Sequence, residues 1–285
     1  MGISAGSGVL LVQVRPGAAG CAQVRQVRRV RQVRQVRQVR WIAHFASVVL
    51  ALCVSAVWAQ DFGFRRRMAP HITAEKTPYD GRFTFARLRH GAEMGREPPW
   101  AHDYPRAERN FTRILQELTL IDPNTRSSTV VRQDDTDLFT SPILYVSEPG
   151  YWTMTEEELA GMHNYVMKGG FIIFDDFRGD HWFNFEEQVR RMIPNARLME
   201  IDPSHPVFNS FFSITPSETT GVYGEASFQG VFEDNDPTKR LLLVANYNHD
   251  LGELWEYSDT GFVPVDLSND AYKYGVNYIV YAMTH

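Results

Sequence analysis

Residues 155–177, TEEELAGMHNYVMKGGFIIFDDF, constrain the fold more than any other stretch of the chain. Thr155 followed by Glu158 makes a capping box, and Leu159, Met162 and Val166 fall on one helical face. Gly169-Gly170 then ends the helix. Residues 171–174 are Phe-Ile-Ile-Phe with no polar alternation, the pattern of a strand covered on both faces in a parallel sheet. The apolar run stops on Asp175-Asp176. Ligands of open α/β sheets sit beyond the carboxyl ends of the strands, so two carboxylates at such an end mark where chemistry belongs. Side chains alternate along a strand, so the two should point apart, one toward the site and one toward the cap of a helix beginning near Trp182. Arg178 is the expected neutralising partner, and Asp180 is a further acidic residue in the same loop.

The remaining pattern supplies a mostly parallel sheet with helices on both faces. Residues 83–88 alternate aromatic and polar side chains as a first strand. Pro105 suits a first helical position, and Phe111, Ile114, Leu115 and Leu118 form a stripe behind it. Residues 129–131 and 143–146 are short β-prone runs, and Phe185, Val189, Met192 and Ile193 give another helical face stopped by Pro194. A strand is expected at 198–201, an antiparallel excursion near 207–240, a strongly apolar strand at 241–245, and a closing helix around Val276, Ile279, Val280 and Met283. Residues 83–285 therefore read as a single α/β domain.

The amino-terminal part has a different character. Residues 1–40 carry a Val-Arg-Gln repeat of period three, which matches no helix or strand face and reads as disordered or as a mis-annotated start. Residues 41–59 follow with an apolar run ending Val57-x-Ala59, the layout of a signal peptide cleaved after Ala59. Residues 60–82 form an extended lead-in. Periplasmic or secreted localisation is the expectation, with membrane contact only through an uncleaved signal segment.

Residues 60–285 hold 21 Lys and Arg against 34 Asp and Glu, a formal charge of about −13. That balance excludes nonspecific nucleic-acid binding, which needs clustered cations to neutralise phosphates. Both cysteines, Cys21 and Cys53, precede the cleavage point, so a mature chain has no thiol for a disulfide, a thiolate metal site or a nucleophile.

Further candidates follow other strands. His102 and Asp103 lie in the loop after the first strand, where Asp103 can alternatively cap the following helix. His205, before Pro206, suits a base or a metal ligand, or simply a packed loop. His249 and Asp250 come off the strand at 241–245, within Asn246-Tyr-Asn248-His-Asp250, a poor match to a calcium loop because its twelfth residue is Tyr257. Trp255-Glu256-Tyr257 can stack a sugar or peptide, or be buried. Asn110-Phe-Thr112 matches a glycosylation sequon inside a helical stripe, and residues 134–137 read as a solvated acidic turn. The chain has no G-x-S-x-G elbow, H-E-x-x-H, P-loop or G-x-G-x-x-G. No organic cofactor is expected, and a divalent metal is the one cofactor these residues leave open.

Taken in order, residues 83–88, Trp100-Ala-His-Asp-Tyr-Pro105, Glu117-Leu-Thr119, residues 155–177, His205-Pro206 and Asn248-His-Asp250 resemble the bacterial family called domain of unknown function 4159. The likeness spans residues 83–283. It implies a flavodoxin-like three-layer sandwich similar to class I glutamine amidotransferases. Those enzymes use a cysteine on a strand-to-helix elbow with a later His and Glu. Here the cysteine is missing and Val207 follows His205-Pro206, so glutamine hydrolysis is not expected. The leading expectation is a non-catalytic protein binding a small ligand or an envelope protein through His102, Asp103, Asp175, Asp176, His205, His249 and Asp250. The alternatives are a metal-assisted hydrolase of an envelope saccharide or peptide, and a structural envelope subunit presenting an apolar patch.

Overall fold

The computed structural model describes residues 72–91 and 98–285. The Val-Arg-Gln repeat, the apolar segment 41–59 and most of the lead-in lie outside the described residues. The described chain runs β1 (Ala86–Arg89), α1 (Arg106–Leu118), β2 (Thr129–Arg132), β3 (Ile143–Ser147), α2 (Glu156–Met167), β4 (Phe171–Phe177), α3 (His181–Met192) and β5 (Met199–Glu200). A hairpin of β6 (Thr220–Gly221) and β7 (Gly224–Glu225) follows, then β8 (Ser227–Phe232), β9 (Leu241–Tyr247), α4 (Leu251–Glu256) and α5 (Val265–Thr284).

Seven strands form one sheet in the order β2-β1-β3-β4-β9-β8-β5. β2, β1, β3, β4 and β9 are mutually parallel, and β8, the strand within the expected excursion near 207–240, pairs antiparallel with both β9 and β5. The order turns back at β1, whose neighbours β2 and β3 lie on its two sides, so the chain leaves adjacent strand ends in opposite directions there.

The apolar run of β4 is central and wholly buried. Phe171 and Ile173 pack into a core with Phe111 and Leu115 of α1 and Val276 and Ile279 of α5. Ile172 and Phe174 pack on the opposite face, with Met162 and Val166 of α2 and Phe185 and Val189 of α3. Helices therefore cover both faces, and each such buried Phe or Ile contributes roughly 1.5–3 kcal/mol. The capping box at the start of α2 forms in full, with Glu158 N–H donating to Thr155 and Thr155 N–H to the Glu158 carboxylate. Past its carboxyl-terminal end, Gly169 takes φ 110, a conformation open to glycine at no steric cost.

Some elements differ from the sequence expectation. The first strand begins at Ala86, with Phe83 making only an isolated bridge to Pro123. α1 starts one residue later than the Pro105 pattern suggests. β5 shrinks to Met199–Glu200 because it lies at the sheet edge, bonded only to β8. α5 begins at Val265, well before its apolar stripe, because residues such as Ser268 and Ala271 are small enough to bury early in the helix. Among the described residues no helix is long and apolar enough to cross a membrane.

Candidate functional site

Arg87 organises the carboxyl edge from below. Fully buried on β1, it pairs with Glu108 of α1 and donates through Nη1 to the carbonyls of Trp100 and His102 at 3.0 and 2.7 Å. Its guanidinium also lies 4.9 Å from the ring centre of Tyr145. This arginine therefore fixes the backbone of the loop that carries His102 and Asp103. Asp103, just before α1, adopts φ 63, Asp176, near the end of β4, φ 59, and Asn248, just past β9, φ 61, left-handed conformations uncommon outside glycine.

Asp175 and Asp176 do differ in their contacts. Asp175 Oδ2 accepts from Tyr145 Oη at 2.7 Å, Leu251 N at 2.7 Å and Gly252 N at 3.0 Å, and Oδ1 accepts from Asn246 Nδ2 at 3.1 Å. It thus ties the start of α4 to β4, rather than capping the helix near Trp182. Burial pushes its carboxyl up to about 7, against the pull of those donors. Asp176 has other partners. Tyr223 Oη, from the β6–β7 hairpin, donates to Asp176 Oδ1 at 3.2 Å and to Asp250 Oδ2 at 3.0 Å. Arg178 does not pair with either aspartate; its guanidinium stacks 3.8 Å from the Tyr223 ring centre.

His102, Asp103, Asp176 and Asp250 converge, each offering one ligand atom within 4.8 Å of the others. His102 Nδ1 lies 2.9 Å from Asp176 Oδ2 and 3.4 Å from Asp103 Oδ2. These approaches lack hydrogen-bond geometry, so Asp176 Oδ2 and both oxygens of Asp103 are buried with no hydrogen-bond partner among the described residues. Asp103 is not a helix cap, since Pro105 holds the N-cap position of α1 without a side-chain bond. The adjacent Asp103 and Asp176 raise the His102 imidazole to about 12. Asp250 is shifted well above the usual carboxylate range, by burial first and then by Asp176 and Asp103. Its Oδ1 accepts from Glu253 N at 2.9 Å. A second acidic group, Asp103 with Glu253 and Glu256, adjoins the first. Burial and the neighbouring Asp103 raise both glutamates, Glu256 to about 7.

Three buried carboxylates and one imidazole in this arrangement are a donor set for a divalent cation. Oxygen donors suit Mg²⁺, Mn²⁺ and Ca²⁺, and the imidazole widens the choice toward Zn²⁺.

Two of the candidate histidines lie elsewhere. His205 packs 5.5 Å from Phe232 and 5.4 Å from Tyr281, whose hydroxyl accepts from the first residue of β9, so it sits at the amino end of that strand. His249 is buried against Phe228 and Tyr274, its Nδ1 accepts from Asp250 N, and burial lowers it to about 4. It is thus a neutral packing residue that turns the chain into Asp250. The Asn246-to-Tyr257 stretch is not an ion loop: Asn246 is consumed by Asp175 and Tyr278, and Asn248 Nδ2 by the Glu225 carbonyl. Trp255 is buried between Phe111, Phe85 and Tyr145, and Asn110 is buried with its amide on the Trp255 and Glu256 carbonyls.

A separate open cleft of about 750 Å³, which shares no residue with the cluster, is lined by Trp182, Phe183, Tyr247, Asp180, Glu225 and Gln229, among others.

Residues 84–283 match the model of the family described as Domain of unknown function (DUF4159). The chain belongs to this family. The matched segment contains every residue of the carboxyl-edge cluster, so the cluster lies inside the DUF4159 domain and not in an appended piece. No curated protein matches the chain.

Proposed function

We propose that this DUF4159 domain binds a divalent cation through His102, Asp103, Asp176 and Asp250 and uses it to hold a ligand at the carboxyl edge of its sheet. The observation that carries this reading is the crowding of the Asp103, Asp176 and Asp250 carboxylates, buried with three oxygens lacking a hydrogen bond and with His102 as the one basic group beside them among the described residues. Burying like charges together is costly, and a dication bonded to them would offset that cost.

The finer fold reading goes with it. Five parallel strands in the order β2-β1-β3-β4-β9 have the connectivity of a flavodoxin-like sheet. Asp176, at φ 59 near the end of β4 and before α3, occupies a place like that of the cysteine on the strand-to-helix elbow of class I glutamine amidotransferases. A carboxylate there suits metal binding and cannot perform the thiolate chemistry of those enzymes. Export follows from the apolar segment 41–59, which places the ligand, small molecule or envelope protein, outside the cytoplasm.

The test is calorimetric titration of the full chain with Mn²⁺, Zn²⁺, Mg²⁺ and Ca²⁺, alongside Asp176→Asn and Asp103→Asn. Saturable binding that both variants weaken by tenfold or more is expected. Absence of binding to the unsubstituted chain overturns the reading.

A second reading, metal-assisted hydrolysis, is favoured by one observation: the cluster opens to solvent beside His102, whose side chain is 39% exposed. A bound ion there lowers the pKa of its water. Metal-dependent release of reducing ends or amines from envelope saccharide or peptide, lost in Asp176→Asn, is the outcome that distinguishes it from binding alone.

A further inference from the structure

We propose that the carboxyl edge holds two divalent cations rather than one, with Asp103 as the carboxylate they share. This inference rests on the cation reading above and deepens it. His102, Asp176 and Asp250 take the first ion, and Glu253 and Glu256 take the second.

The two clusters of potential ligands overlap at a single residue, Asp103. Its side chain is fully buried, and both of its oxygens lack a hydrogen-bond partner among the described residues. One free oxygen would fit a terminal ligand; two free oxygens on a residue common to both clusters fit a bridge. Two-metal centres hold their ions about 3.5–4 Å apart, a spacing that a bridging carboxylate spans.

The second half is held as firmly as the first. Glu253 and Glu256 are one turn apart on α4, so their carboxylates share a face. α4 is fastened to the first half twice: Asp175 accepts from Leu251 N and Gly252 N, and Asp250 accepts from Glu253 N. Gly252 allows the close approach, because a Cβ there would sit 2.5 Å from Asp103 Oδ2.

Charge balance points the same way. The nearby arginines are engaged elsewhere, Arg87 with Glu108, Arg106 with Asp259 and Arg178 on the Tyr223 ring. Asp103, Asp176, Asp250, Glu253 and Glu256 then face one another with His102 as the sole basic group in the two clusters. Once metal binding displaces their protons and His102 binds as the neutral imidazole, one dication leaves most of the five carboxylate charges uncompensated, whereas two nearly neutralise them. An oxygen-rich pair of this kind selects hard ions such as Mn²⁺ and Mg²⁺ and suits a ligand with an oxyanion that can span both.

The experiment is Mn²⁺ stoichiometry on the full chain, by metal analysis after gel filtration, with electron paramagnetic resonance of the same samples. Two ions per chain with an exchange-coupled signal are expected. Glu253→Gln/Glu256→Gln should retain one ion, with the signal of isolated Mn²⁺, and Asp103→Asn should weaken both sites. One ion in the unsubstituted chain, or two ions unaffected by the glutamine pair, overturns the shared centre while leaving the single site standing. No ion overturns both readings. Should the double variant misfold by circular dichroism, Glu256→Gln alone and the unsubstituted stoichiometry decide the matter.

Discussion

The carboxylate of Asp175 accepts four hydrogen bonds among the described residues, while that of Asp176, one position along the same strand, keeps a buried oxygen with none. A register shift between Phe174 and Phe177 interrupts strand alternation here, and the left-handed backbone of Asp176 gives its carboxylate partners different from those of Asp175. Adjacent residues of one type thereby take different tasks: the first fastens α4 to the sheet, and the second faces the proposed ion.

Asp175→Asn and Asp176→Asn should therefore separate cleanly. Asparagine at 175 turns an amide toward the α4 backbone donors and should cost about 2–3 kcal/mol in urea unfolding. Asparagine at 176 relieves like charges and should leave metal-free stability unchanged or raised while weakening Mn²⁺ binding. Equal destabilisation by the two variants would contradict this division.

Gly252→Ala adds a Cβ 2.5 Å from Asp103 Oδ2 and 2.7 Å from Tyr145 Oη. The backbone is pinned by Asp175, so the added atom must displace Asp103. A loss of about 1–3 kcal/mol in stability is expected, together with at least tenfold weaker cation binding by calorimetry. An unchanged affinity would show that Asp103 is not a ligand.

The Arg87–Glu108 pair is buried on both sides. Arg87→Met should destabilise by about 3–5 kcal/mol because it leaves Glu108 charged and alone. Arg87→Met with Glu108→Leu should recover much of that loss, yet bind cations poorly, since the Trp100 and His102 carbonyls lose their donor. Thermal melts and Mn²⁺ titration of both variants check the two halves of this statement.

His90 supplies a pH dependence away from the cluster. It is buried with Nε2 2.7 Å from the Ser147 carbonyl, and burial, with Arg87 adding like charge, lowers it from 6.5 to about 4. The unfolded chain then binds the extra proton between those values, so His90 contributes stability that is full above pH 6.5 and lost as pH falls toward 4. The shift corresponds to roughly 3 kcal/mol. His90→Gln keeps a donor for Ser147 and should flatten that part of the stability–pH curve measured by urea unfolding. An unaltered slope would refute the assignment.

How far the site could be read from sequence depends on the range of each interaction. The 155–177 pattern carries its own cap, face and stop, so α2 and β4 are local facts, as are the places of Asp103 before α1, Asp176 near the end of β4 and Asp250 just past β9. His205 looks equivalent because it too follows a predicted strand. β5 does point the same way as β9, but the loop after it doubles back and leaves His205 against Phe232 and Tyr281 at the amino end of β9. Tyr223 gives no local signal, since its contact with Asp176 and Asp250 depends on how the β6–β7 hairpin folds back. Glu253 and Glu256 offer a faint one, an acidic i,i+3 pair directly after a strand exit. Arg87 reads as an ordinary outward-facing strand residue until α1 is packed over it.

The two strands beyond β9 have a consequence for solubility. β9 is seven residues long and buried through its first six, the kind of strand that would recruit other chains if its backbone were bare. β8 covers it, and the sheet then ends in two-residue β5, too brief to template another strand. On the far side, the carbonyl of Glu75 accepts from Val130 N of β2 at 2.8 Å, so the lead-in closes part of that border. A deletion through residues 198–232 would bare the most apolar ladder in the domain and open the sheet to association through that edge.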